Sequence, residues 1–82
     1  MSGDRLVTMA NQIGLFFAHR GERAPELIAG HIRQFWDPRM RTAMLAHFAE
    51  GGAGLDPLPR AALALLAQRA ETRDQAPPAA PR

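Results

Sequence analysis

The sequence predicts an all-α fold: a small bundle of three to four short helices with a disordered, Pro/Ala-rich C-terminal tail. Three observations carry this expectation. Large apolar residues recur at three- and four-residue steps, and no segment alternates with the period of two that a half-buried strand needs. The dipeptide Asp-Pro occurs at 37–38 and again at 56–57, each time ahead of an apolar run, as a cap followed by a first-turn proline. Glycines at 21 and 51–52 stand where apolar runs stop.

The first helix is expected over about residues 5–19, with Asp4 as its N-cap and Gly21 at its stop. Leu6, Met9, Ile13, Phe16 and Phe17 share one face and are expected to point inward. Val7, Asn11, Gly14, Leu15 and Ala18 fall on a second side, nearly opposite. A mid-helix glycine costs about 1 kcal/mol relative to alanine and often marks close backbone approach. The second side therefore reads as a surface packed against another protein.

The second helix is expected over about 25–36, with Pro25 as its first residue and Leu27, Ile28, His31, Ile32 and Phe35 as its stripe. Pro38 disfavours helical geometry at Asp37, so this helix should end near Trp36. A third helix follows over about 38–50, capped by Asp37, with Met40, Met44, Leu45 and Phe48 facing inward and Gly51-Gly52 as its stop. The fourth is expected over about 57–70, with Leu58, Ala62, Leu65 and Leu66 as its stripe. From Thr72 onward no large apolar residue remains, which sets the expected division into a helical domain at 1–71 and a disordered tail at 72–82.

Composition narrows the function. Eighty-two residues make one domain at most, and a core this small is often completed by a partner. The chain has no cysteine, so neither a disulfide nor a thiolate metal cage is available. His19, His31 and His47 lack ligand spacing, and no metal site is expected. His31 sits on an apolar stripe and reads as a core or interface histidine, while His19 and His47 read as solvated. No Gly-rich phosphate loop, nucleophile elbow or acid–base carboxylate pair occurs, Ser2 is the only serine, and tyrosine is absent. Catalytic and cofactor-binding residues are therefore expected to be none. The N-terminus lacks the apolar core of a signal peptide, and apolar stretches fall far short of the roughly 20 residues of a membrane span. A cytoplasmic location is expected.

The stretch FWDPRMR at 35–41 holds the only tryptophan. With Asp37 as cap, Arg39 and Arg41 take the second and fourth helical positions, where the helix dipole disfavours positive charge. Such arginines are suited to acceptors outside their own helix. Trp36 beside them offers a large amphipathic surface of the type that dominates binding hot spots, although a core position explains the ring equally well. The candidate partner-binding residues are thus Val7, Asn11, Gly14, Leu15, Trp36, Arg39 and Arg41. The alternative is a small helical nucleic-acid-binding or regulatory module. Against it, the third helix carries no polar cluster to read bases, and the net charge is only +2 although all ten basic residues are arginine.

Two strings, LVTMANQIGLFF at 6–17 and IAGHIRQFWDPRMR at 28–41, resemble the delta subunit of the NAD-dependent, molybdenum-containing formate dehydrogenases. The resemblance spans about residues 5–50. It implies a small non-catalytic component of a larger complex. In that family the alpha subunit holds the molybdenum bis-pterin site and iron–sulfur clusters. The beta and gamma subunits carry flavin, further clusters and the NAD site. The delta subunit is associated with the alpha subunit and with production of active enzyme. The absence here of cluster-ligating cysteines and of a dinucleotide fingerprint agrees with that role.

Overall fold

The computed structural model describes residues 3–75. Among them the chain forms four α-helices: α1 (Gly3–Phe17), α2 (Ala24–Phe35), α3 (Pro38–Ala49) and α4 (Pro57–Gln75). A 3-10 stretch, Ala18–Arg23, links α1 to α2. No strand occurs among the described residues, and the expected all-α bundle is the fold found.

The α1 helix already includes Gly3, so Asp4 lies in its first turn instead of capping it. Its carboxylate still complements the positive end of the helix dipole there. The last expected turn of this helix is replaced by the 3-10 stretch, which bends at Gly21 (φ 62°, ψ −128°). In α2, Pro25 is the second helical residue, after Ala24. The helix stops as expected, with Trp36 turning to extended geometry (ψ 139°) ahead of Asp37-Pro38.

Both ends of α3 follow the capping signals. Asp37 Oδ1 accepts from the Met40 N–H at 3.0 Å, which satisfies one orphan donor of the first turn. At the other end the Gly52 N–H donates to the His47 carbonyl (2.9 Å) and the Gly51 N–H to Phe48 (3.0 Å), the paired bonds of a Schellman motif. Both glycines have positive φ (121° and 64°), the geometry that excludes most other residues. The α4 helix begins at Pro57 as expected but runs to Gln75, four residues into the stretch read as a tail. AETRDQ at 70–75 contains no helix breaker, and the first proline comes only at 77. Residues 76–82, the remainder of that expected tail, lie outside the described residues.

The core gathers on α2, which packs most extensively on α4. Ala24, Ile28, Ala29 and Ile32 of α2 are fully buried, as are Ala62 and Leu63 of α4. Small residues at these positions let the helix axes approach closely. The stripe of α2 is therefore rotated from the expected one: Phe35 is 66% exposed, and Leu27 and His31 are only half-buried.

The α1 face is rotated too. Its buried arc centres on Leu6, Val7, Ala10 and Gly14. Phe16, expected inside, sits roughly 120° around the helix from Ala10 and is 71% exposed. The physical reason is the thin contact that Ala10 and Gly14 allow. A Cβ added at Gly14 would meet Pro59 Cδ at 2.8 Å, so α4 lies directly on the α1 backbone there.

Candidate functional site

The loop between α3 and α4 is tied to α1 by one side chain. Asn11 Nδ2 donates to the Gly54 carbonyl (3.0 Å), and its Oδ1 accepts from the Asp56 N–H (2.9 Å). Val7 packs beneath the same loop, with its Cγ1 3.3 Å from where a Cβ of Gly54 would stand. Val7, Asn11 and Gly14 thus have partners within the chain. Of the residues on that side of α1, Leu15 remains outward, 73% exposed.

The arginines divide in the same way. Arg41 Nη1 donates to the Arg33 carbonyl at 2.8 Å, one of the four carbonyls at the end of α2 that lack a helical partner. A charge placed against the dipole of α3 therefore sits favourably at the C-terminus of α2. Arg39 is exposed. Trp36 is 6% exposed and belongs to the core cluster, yet one side of it faces a surface groove.

That groove has a volume of about 530 Å³. The α1 helix contributes Met9, Gln12, Ile13, Phe16 and Phe17, and the α2–α3 corner contributes His31, Phe35, Trp36 and Met40. Four rings run along it in sequence. Phe16 meets Phe17 edge-on at 5.1 Å between centroids, Phe17 meets His31 at 6.1 Å, and His31 lies tilted on Phe35 at 4.6 Å. Such offset and edge contacts match the aromatic quadrupole, and they hold the rings in a row while leaving their outer surfaces in water.

Sequence reasoning did not bring these residues together. It assigned Phe16 and Phe35 to the interior, whereas each forms a wall of the groove. The available signal was an excess: α1 carries more large apolar side chains than one arc of a thin helix contact can bury. Arg60 was also missed. It donates to the Gly51 carbonyl (2.9 Å) and the Gly52 carbonyl (2.8 Å), fastening α4 to the end of α3. Expected to be solvated, His47 is half-buried, and its Nε2 donates to the Ala53 carbonyl at 2.8 Å.

Among the described residues no group of three or more His, Cys, Asp or Glu is placed to hold a metal ion. No described helix is long and apolar enough to cross a membrane. The groove can offer shape, apolar area and ring faces, which is the chemistry of binding.

A family model described as NADH-dependent formate dehydrogenase delta subunit FdsD matches residues 5–63. No curated protein and no solved structure matches the chain.

Proposed function

Because the chain belongs to the NADH-dependent formate dehydrogenase delta subunit family, FdsD, we propose that it is the non-catalytic accessory subunit of a cytoplasmic, molybdenum-containing formate dehydrogenase. In this reading it binds the large alpha subunit, within a complex that also holds beta and gamma subunits, and supports assembly or stability of the alpha subunit.

One observation carries the binding role. All nine described residues lining the aromatic groove come from the two strings that carry the family resemblance, 6–17 and 28–41. The strings lie on different helices, and the fold brings them to one concavity. Phe16 and Phe35, at 71% and 66% exposure, gain about 1.5–3 kcal/mol each when a partner covers them fully. Leu15 and Arg39, both exposed, are further candidate contacts outside the groove, and Trp36 is the groove's buried support. The non-catalytic role is supported by how the polar groups are used. Asp37, Asn11, Arg41, Arg60 and His47 all bond to the backbone and hold helix ends or loops.

The test is co-expression with the alpha subunit followed by affinity purification on the small chain. Phe16→Ser with Phe35→Ser should reduce recovery of the alpha subunit at least about tenfold, the scale of a hot-spot pair. Both positions are exposed, so the helical circular dichroism of the isolated chain should stay near wild type. Undiminished recovery of the alpha subunit by this variant would show that the groove is not the binding surface.

A further inference from the structure

A second concavity, about 330 Å³, lies where the end of α2, the start of α3 and the later turns of α4 meet. Arg33, Arg41 and Arg69 line it, one from each helix, above Leu45 and Leu66, with Thr42 at its edge. None of the described residues lining it is acidic. The whole chain carries a formal charge of only +2, so this is a local concentration of charge. Three like charges around one cleft repel, and an entering anion relieves that repulsion.

Building on the accessory-subunit reading, we propose that this cleft docks an acidic segment of the large alpha subunit, with Asp or Glu carboxylates meeting the three guanidinium groups. Arg41 is already oriented by its bond to the Arg33 carbonyl, so little further ordering is needed for it to bind. Planar guanidinium groups take carboxylates in paired hydrogen bonds. The apolar floor of Leu45 and Leu66 suits the methylene stem of an acidic side chain, and an arginine-rich rim over apolar residues is a typical interface composition. A phosphate ligand fits less well. Helix-terminus phosphate sites gather free backbone N–H groups. At the start of α3 the Met40 N–H is taken by Asp37, and Pro38 has none.

The experiment titrates the full chain against the alpha subunit at low and at physiological salt. Arg33→Ala with Arg69→Ala should raise Kd at least about tenfold at low salt and flatten its salt dependence. Arg33→Lys with Arg69→Lys should give an intermediate Kd. Arg20→Ala with Arg23→Ala, outside the cleft, should leave both quantities unchanged. Arg41 is left in place because it holds the end of α2. Circular dichroism checks the fold of each variant. Should the alanine pair unfold, the lysine pair decides, a raised Kd supporting the proposal and an unchanged one overturning it. A folded alanine pair with wild-type Kd and salt slope overturns the cleft assignment and leaves the accessory-subunit reading standing. Failure of the wild-type chain to bind the alpha subunit overturns both.

Discussion

Gly14 shows how one residue can serve opposite ends. In an isolated helix its replacement by alanine is favourable by about 1 kcal/mol. Here the added methyl would stand 2.8 Å from Pro59 Cδ, inside any normal contact. A proline ring on a helix has little freedom to yield, so α1 and α4 must separate. Gly14→Ala is therefore expected to destabilise the chain by about 1–3 kcal/mol, as overpacking does. Urea unfolding followed by circular dichroism measures it, and a gain in stability would show that the two helices do not meet this closely. The glycine was legible in the sequence as a point of close approach. Which neighbour approached was not, because Pro59 lies 45 positions away. Asn11 is similar. Its place on the helix face was readable, but its two bonds reach across to Gly54 and Asp56.

At the scale of elements, the helix ends were the most readable feature. Asp37, Pro38 and Gly51-Gly52 act through backbone groups within a few residues of themselves, so local sequence contains the whole interaction. The end of α3 has a second fastening that local sequence does not contain. Arg60, from the first turn of α4, donates to the carbonyls of Gly51 and Gly52. Removing it leaves those carbonyls to water and frees the α3–α4 connection. Arg60→Met keeps an apolar stem of similar length and is expected to cost about 1–2 kcal/mol. Amide hydrogen exchange should show faster exchange at residues 50–56 than in the helices. Equal protection across the chain in wild type and variant would remove this role. The choice of buried helical face was less readable. In α1 and α2 the largest side chains suggested the inward direction, but the alanines and glycine set it, since close helix contact selects small residues at the crossing.

At the scale of the whole molecule, the chain leaves ring surfaces in water that a larger protein would cover. Leu15, Phe16 and Phe35 are each about two-thirds exposed or more. In a chain of 82 residues such surface is a substantial loss of burial, and the isolated bundle is expected to be marginal. A partner that binds only the folded form adds about 2.7 kcal/mol of apparent stability at a hundredfold excess over Kd. For a domain of this size that amounts to a rise of roughly 10–20 °C in the thermal midpoint. A thermal melt of the chain with excess alpha subunit, read on a label in the small chain, checks this. An unchanged midpoint would mean that no stabilising complex forms.

The sequence by itself determined the fold class, the number and approximate limits of the helices, the caps of α3 and the family resemblance. Each of these depends on interactions within a turn or two of the chain, or on strings of residues read in order. Only the tertiary structure decided which faces are buried and which residues meet. It placed Val7, Asn11 and Gly14 against the chain's own loop and α4, gave Arg41 the end of α2 as its acceptor, and set Phe16 and Phe35 as walls of one groove. Those outcomes depend on how closely helices distant in sequence approach, and that distance is set jointly by small residues on both partners.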